Sequence, residues 1–403
     1  MKRLLPEEAR LVEGIDPSAM LARTERWSAI NSSTGNLAGL AAMAGELADA
    51  FAALPGEVTL EEPAPVTEIA PDGRAIEREH GAHLVLRVRP SAERRVLLTG
   101  HMDTVYPADH PFQAVARLDA DRLGGPGTAD MKGGIAVILD ALTAFERSEA
   151  AGRIGYDVMI NSDEETGSLS SAPLIERLAR GKFAALTYEP ATTPSGTFAY
   201  ARGGSGNYCL VIEGRSAHAG RNPKDGRNAI VAAAKLALAL KALEHDQLSV
   251  NPAKIDGGSA NNVVPDHAVL RFNIRPATRK AAGWFAGDLD LLVDKISNEL
   301  EVGISVHGRI TRPPRPVDPQ AEKLFDLVSG CCAQLEQPFT VADSGGVCDG
   351  NNIAACGVPV VDTMGVRGGA IHSPGEFLVI ASLAERAALS ALVLHRLATG
   401  DAV

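Results

Sequence analysis

Several side chains between positions 101 and 372 are of the types that hold divalent cations, and most of them follow short apolar runs. The run Val96-Leu97-Leu98-Thr99-Gly100 ends in His101, with Asp103 two residues on. At the mouth of a strand, an imidazole can offer one ring nitrogen to a metal while a carboxylate accepts the other N–H, fixing the tautomer and raising basicity. Asp130 lies between glycines in Gly124-Gly125-Pro126-Gly127-Thr128-Ala129-Asp130-Met131-Lys132-Gly133-Gly134, where the backbone is free to take unusual dihedrals beside an ion. A phosphate loop would need GxxxxGK[ST], and here the lysine precedes the glycine pair. A plain glycine-rich turn opening a helix remains the alternative.

The segment Met159-Ile160-Asn161-Ser162 runs straight into Asp163, Glu164 and Glu165. Clustered like charges at the end of a buried strand repel one another, and a divalent cation is an economical counter-charge. Glu164 and Glu165 can then divide the labour, one binding metal and the other acting as general base on metal-activated water. Glu189 ends the run Leu186-Thr187-Tyr188, and His372 lies in the glycine-rich stretch Arg367-Gly368-Gly369-Ala370-Ile371. Taken singly, these are ordinary loop residues and a solvated acidic turn. Taken together, two imidazoles and three carboxylates have the hardness that suits zinc, cobalt or manganese. Five groups exceed what one catalytic zinc uses, and a bridged pair of ions roughly 3.5–4 Å apart accounts for all of them.

Such groups need a scaffold that brings distant positions to one rim. Apolar runs at 83–88, 95–98, 156–160 and 184–187 read as buried strands, alternating with helical stretches at 134–147 and 172–179. A further helix spans 36–54, with Ser33 or Thr34 available as its cap. Strands alternating with helices predict an α/β layered sheet, whose strand carboxyl ends are where ligands bind. From Phe198 the pattern becomes a strand at 198–214, an Ala-rich helix at 226–244, a strand at 262–275 and a helix at 285–301. After Arg312-Pro313-Pro314-Arg315-Pro316 the α/β character returns. The expected architecture is therefore a discontinuous α/β domain (1–197 and 313–403) with a mixed, mostly parallel sheet, carrying an inserted α+β, ferredoxin-like domain (198–312). None of the metal set lies in the insert.

A length of 403 residues favours two domains. A net charge of −11 argues against nucleic-acid or anionic-membrane partners, which call for a basic surface. Five cysteines without a CxxC pair suggest reduced thiols and a cytoplasmic protein. The charged N-terminal stretch does not read as a signal peptide, and no apolar run is long enough to span a membrane.

The motifs resemble those of the M20 family of metallopeptidases, which includes glutamate carboxypeptidase, acetylornithine deacetylase, succinyl-diaminopimelate desuccinylase and aminoacylase. The likeness runs from about Asn31 to the last helix. It rests on His101-Met102-Asp103-Thr104-Val105, Gly127-Thr128-Ala129-Asp130-Met131-Lys132-Gly133-Gly134, Asp163-Glu164-Glu165-Thr166-Gly167-Ser168 and His372-Ser373-Pro374-Gly375-Glu376, in order and spacing. The resemblance implies two zinc ions bridged by Asp130, with His101 and Glu189 completing one site and Glu165 and His372 the other. It implies Glu164 as general base, Asp103 as the partner of His101, and a cis bond between Asp130 and Met131. In the insert, Gly214-Arg215-Ser216-Ala217-His218-Ala219-Gly220 is similar to a lid motif whose His reaches a substrate carbonyl across a dimer. Asn262 and Arg275 match positions that grip a substrate carboxylate, and the insert would supply the homodimer interface.

Two segments depart from the family pattern. Gly345-Gly346-Val347-Cys348-Asp349-Gly350-Asn351 has Cys where Ser is common, and Arg202-Gly203-Gly204 stands where Arg-Lys-Gly is frequent. The substrate implied is a peptide or N-acyl amino acid with a free carboxylate, with small-acyl amidases next. A thiol hydrolase using Cys348 and a non-catalytic binding protein are the rival readings.

Overall fold

The apolar runs become strands buried between helices. The computed structural model describes residues 4–400, and ten strands carry its two main sheets: β1 (Glu57–Glu61), β2 (His83–Val88), β3 (Arg95–His101), β4 (Gly155–Asn161), β5 (Ala184–Thr187), β6 (Ser205–Glu213), β7 (Leu248–Gly257), β8 (His267–Pro276), β9 (Gly303–Arg312) and β10 (Val360–Val361). The chain divides into two compact units. The second comprises Pro65–Arg78 and Arg202–Pro316, and the first holds the rest.

The first unit is built on a six-stranded sheet in the order β1-β2-β4-β3-β5-β10. β2 runs antiparallel to both its neighbours, whereas β4, β3, β5 and β10 pair in parallel. Successive side chains point to opposite faces, as a period of two requires. Val96, Leu98, Val158 and Ile160 share a core with Ile135 and Ile138 of helix Gly133–Glu146 and Leu392 of helix Ala381–Thr399. Leu97, Met159 and Ala185 face Leu174, Ile175 and Leu178 of helix Ala172–Ala179. Cover on both faces leaves β4 buried at every residue, so apolar side chains stand on both its faces instead of alternating with polar ones, and its one buried acid, Asp157, is paired with Lys182.

In the second unit four antiparallel strands lie in the order β7-β8-β6-β9. Helices Ala229–Lys241 and Arg279–Leu300 join the same core through Leu236, Leu240, Phe285 and Leu289. Strand–helix–strand–strand–helix–strand in this order is the ferredoxin-like arrangement. The run at 198–214 is broken at Gly203-Gly204, and only its later part is β6. The hairpin Val66–Ile69 and Ala75–Arg78, which the sequence assigns to the first domain, belongs to the second unit. There Arg271 Nη2 donates to Ile69 O at 2.6 Å. Among the described residues no helix is long and apolar enough to cross a membrane.

Candidate metal centre

The register of the central strands decides where the chemistry collects. His101 ends β3 opposite Asn161, the last residue of β4, and Thr99 pairs with Thr187, the last of β5. Two residues further on, Glu189 comes level with His101, while the acidic turn leaves the sheet just beyond Asn161. All of this lies at the carboxyl edge, where open α/β sheets bind their ligands. Close approach makes it possible. A Cβ on Gly134 would lie 2.3 Å from Tyr188 O, and one on Gly365 would lie 2.2 Å from the same oxygen.

His101 Nε2 is 3.1 Å from Asp130 Oδ1 and 3.8 Å from Glu189 Oε2. His372 Nε2 is 3.3 Å from Asp130 Oδ2 and 3.1 Å from Glu165 Oε2. Asp130 thus turns one oxygen to each imidazole. Candidate ligand atoms of His101, Asp130 and Glu165 lie within 4.8 Å of one another, as do those of His101, Glu164 and Glu189. The Asp130–Met131 peptide bond is cis. The five residues singled out in the sequence, and Glu164 with them, are brought to one place.

Buried partners hold them there. His101 Nδ1 donates to Asp103 O at 3.0 Å, which turns Nε2 toward the centre, where it can exchange its proton for a metal. The Asp103 carboxylate accepts Glu164 N and Glu165 N, both at 3.1 Å, and Thr34 Oγ1 at 2.7 Å. Asp103 therefore orients the imidazole through its carbonyl oxygen and pins the acidic turn through its carboxylate. Asp163 works from the turn's other side, accepting Ser170 N at 2.7 Å and Ser170 Oγ at 2.9 Å. Glu376 Oε1 accepts Ala129 N and Asp130 N, both at 3.1 Å, and its Oε2 accepts Tyr106 Oη at 3.0 Å. Tyr106 Oη also reaches Ser373 O at 2.9 Å, tying down the loop of His372. Sequence reasoning assigns no role to Glu376, Tyr106 or Asp163, although Glu376 closes a quoted motif. It sees Thr34 only as a helix cap, whereas the cap of helix Leu37–Phe51 is Asn36.

The electrostatics ask for positive charge. Burial alone would depress the His101 pKa, but the carboxyls of Asp103, Asp130 and Glu189 raise it well above the usual value. Asp130 and Glu165 push His372 up to about 11. Burial, reinforced by the charge on Asp130, lifts Glu165 to about 7, and burial raises Glu189 as well. Asp130 itself, despite its burial, is held well below the carboxylate range by the two imidazoles. Protons on His101 and His372 do here what divalent cations would do better, and the nitrogen and oxygen donors are of the kind zinc, cobalt and manganese accept. The residues fit a metal pair.

Cys348 is buried, and its Sγ donates to Asp362 Oδ2 at 3.2 Å. A buried thiol giving its hydrogen to a carboxylate is poorly set up as a nucleophile. In the second unit His218 and Asn262 are exposed neighbours, for Ala219 N donates to Asn262 O at 2.9 Å. Arg275 is exposed near the far end of β8, with its Nε on Asn273 Oδ1 at 3.0 Å. The eight steps along the strand from His267 to Arg275 alone span about 26 Å. A single chain therefore does not bring Arg275 together with His218 and Asn262.

The profile of Peptidase family M20/M25/M40 matches residues 97–396, and the chain belongs to that family. It is accordingly a metal-dependent hydrolase. It is 28% identical over 326 residues to carboxypeptidase G2 of Pseudomonas sp. (strain RS-16), a match covering 79% of this chain and 78% of the relative. It is 27% identical over 329 residues to succinyl-diaminopimelate desuccinylase of Psychrobacter sp. (strain PRwf-1), covering 76% and 80%. The solved structure of a tripeptidase from Staphylococcus aureus subsp. aureus Mu50 shares the fold, with a TM-score of 0.72 at 23% identity over 96% of this chain and 100% of that one.

Proposed function

We propose that the protein is a two-metal amidohydrolase cleaving peptides or N-acyl amino acids that carry a free carboxylate, in the manner of a glutamate carboxypeptidase. The observation that carries this reading is the division of Asp130 between two imidazoles, at 3.1 and 3.3 Å, each backed by its own glutamate. In this reading Asp130 would be shared between two zinc ions, which cobalt or manganese could replace. His101 and Glu189 would help hold one of them, and Glu165 and His372 the other. Ions bound there would supply Lewis acidity to the scissile carbonyl and a water of lowered pKa.

The chain's own groups do the rest. Glu164, whose carboxylate approaches His101 and Glu189, takes a proton from the attacking water and delivers it to the leaving nitrogen. Asp103 keeps His101 in the tautomer that aims Nε2 inward. His218 stabilises the oxyanion, and Arg275, with Asn262, holds the substrate carboxylate through its guanidinium fork. The separation of Arg275 from His218 and Asn262 supports a homodimer in which one copy lends the pair to the other. Val231, Leu238, Trp284 and Leu291 add to this, being large apolar side chains exposed seven residues apart on the second unit's two helices. None of the five cysteines lies in a disulfide, which favours the cytoplasm. A second reading, an amidase for small acyl groups, has the likeness to a desuccinylase in its favour.

The test is to load the protein with zinc and screen N-acyl amino acids and dipeptides with and without chelator. Glu164→Gln should keep its metal and lose turnover by about 10²- to 10⁴-fold, the range general acid–base catalysis supplies. Wild-type turnover in that variant would overturn the assignment.

A further inference from the structure

Asp349 is buried and lies 181 residues from Ser168 in sequence, yet both its carboxylate oxygens reach elements that carry the metal set. Oδ1 accepts Ser168 Oγ at 2.5 Å, and Oδ2 accepts Asn161 Nδ2 at 2.8 Å. Ser168 closes the acidic turn, for its N donates to Asp163 O at 2.8 Å while Gly167 N donates to Glu164 O at 2.9 Å. Gly167 and Ser168 both take positive φ, 102° and 55°. A glycine does this freely, whereas a residue with a Cβ holds left-handed backbone only where its surroundings secure it. The bond to Asp349 secures it. Asn161 ends β4 opposite His101, and its carbonyl accepts Met102 N at 2.8 Å. One carboxylate thus ties the strand end beside His101 to the turn that carries Glu164 and Glu165.

The residue before it reaches the next strand. Cys348 Sγ donates to Asp362 Oδ2, and Asp362 Oδ1 accepts Thr187 Oγ1 at 2.8 Å. Thr187 O accepts Met364 N and Glu189 O accepts Gly365 N, both at 3.0 Å. Consecutive residues therefore connect to the ends of β4 and β5. We propose that Asp349 is a positioning residue of the hydrolase, setting the acidic turn against the end of β3 through Ser168 and Asn161. This rests on the two-metal reading, in which His101 and Glu165 serve different ions and their spacing matters. The contacts, and not the charge, do the positioning. An asparagine at 349 can accept Asn161 Nδ2 on its oxygen and donate its own N–H to Ser168 Oγ, because a serine hydroxyl both donates and accepts. An alanine keeps neither contact.

The experiment compares Ser168→Ala, Asp349→Ala, Asp349→Asn and the double alanine variant by kcat, KM, zinc affinity and amide hydrogen exchange. Ser168→Ala removes one hydroxyl and should lower kcat and zinc affinity by about tenfold, with KM little changed. Asp349→Ala should lower them by up to about 100-fold, the span that supporting partners of a metal site cover. Asp349→Asn should recover most of that loss. The Gly167 and Ser168 amides should exchange faster in Ser168→Ala while those of β4 stay protected, a local opening and not a global one. In the double variant the loss should equal that of Asp349→Ala, since the two groups share one bond. Unchanged exchange and zinc affinity in Ser168→Ala, or losses that add in the double variant, overturn the proposal. If Asp349→Ala does not fold, Ser168→Ala and Asp349→Asn decide alone. If the wild type turns over no amide, it is the reading of the reaction that fails, and exchange with zinc affinity still decides for or against Asp349.

Discussion

The two edges of the main sheet both bury carboxylates and neutralise them by opposite means. At the amino edge, Asp157 of β4 is held by Lys182 Nζ at 2.8 Å and by the Arg95 guanidinium. At the carboxyl edge, Asp130, Glu165 and Glu189 face imidazoles. The lysine nearest in sequence, Lys132, turns away and donates its Nζ to Ile30 O at 2.7 Å, with burial pulling its pKa down to about 7. Arginine and lysine are tethered cations that stay with the carboxylate. An imidazole can give up its proton to make room for a metal. The first edge is thus a closed structural contact, and the second is a negative cavity that only an outside cation can complete.

The sharpest way to break the contrast is to neutralise one acid at each edge. Asp157→Asn strands two cations, one of them deeply buried, and should destabilise the fold by about 3–5 kcal/mol in urea denaturation. Zinc affinity and kcat per folded molecule should not change. Glu165→Gln should do the reverse. It lowers metal affinity, yet it makes the metal-free protein more stable at pH 8, because the fold already favours the protonated form of that carboxyl. Equal losses of stability from the two substitutions would erase the distinction.

A smaller effect sharpens it. In the metal-free protein Glu165 and Glu376, both buried near Asp130, are raised to about 7, and His372 is raised to about 11 by Asp130 and Glu165. The folded state then binds more protons than the unfolded one. For the two carboxyls this holds from their unfolded values up to about 7, and for His372 from its unfolded value to about 11. Stability therefore falls as pH rises through the lower window, by up to about 1.4 kcal/mol per pH unit for each proton concerned, while in the upper window the loss at His372 is opposed by Lys132, whose pKa burial pulls down to about 7. Saturating zinc displaces those protons and should flatten the profile. Denaturation midpoints at pH 5, 7 and 9, with zinc and with chelator, measure it. A metal-free midpoint that rises between pH 5 and 7 contradicts the scheme.

What the sequence disclosed follows the same division. Buried strands such as β3 and β4 are legible because cover on both faces forces mostly apolar runs, and their ends carry His101 and the acidic turn. β7 is not legible. It lies at the edge of its sheet, carries Pro252, shifts register between Pro252 and Lys254, and exposes many of its residues. The metal set was legible because its residue types are scarce at strand ends. The groups that position it were not, since Glu376, Tyr106 and His83 act through contacts across as many as 270 residues of chain that no local pattern records. The hairpin 65–78 escaped for a similar reason, as its place depends on Arg271, some 200 residues away.

His83 offers the smallest and most specific test. It begins β2 and is fully buried. Ser162 N donates to its Nδ1 at 3.3 Å, so the proton sits on Nε2, which faces Ser170 Oγ at 3.3 Å. Ser170 Oγ in turn donates to Asp163 Oδ2 at 2.9 Å. Burial lowers the pKa of His83, in keeping with the neutral ring this chain of donors requires. Asp163 opens the turn that carries Glu164 and Glu165, so the relay sets the turn from below while Asp103 sets it from above. His83→Leu should lower kcat by about tenfold with little change in KM or metal content, the lower end of what supporting partners of a metal site contribute. His83→Gln keeps an N–H near the position of Nε2 and should recover part of the loss, which a purely steric role would not allow. If both variants lose kcat alike, the acidic turn owes its position to Asp103 and Asp349, and the carboxyl edge needs less support from beneath than its charge suggests.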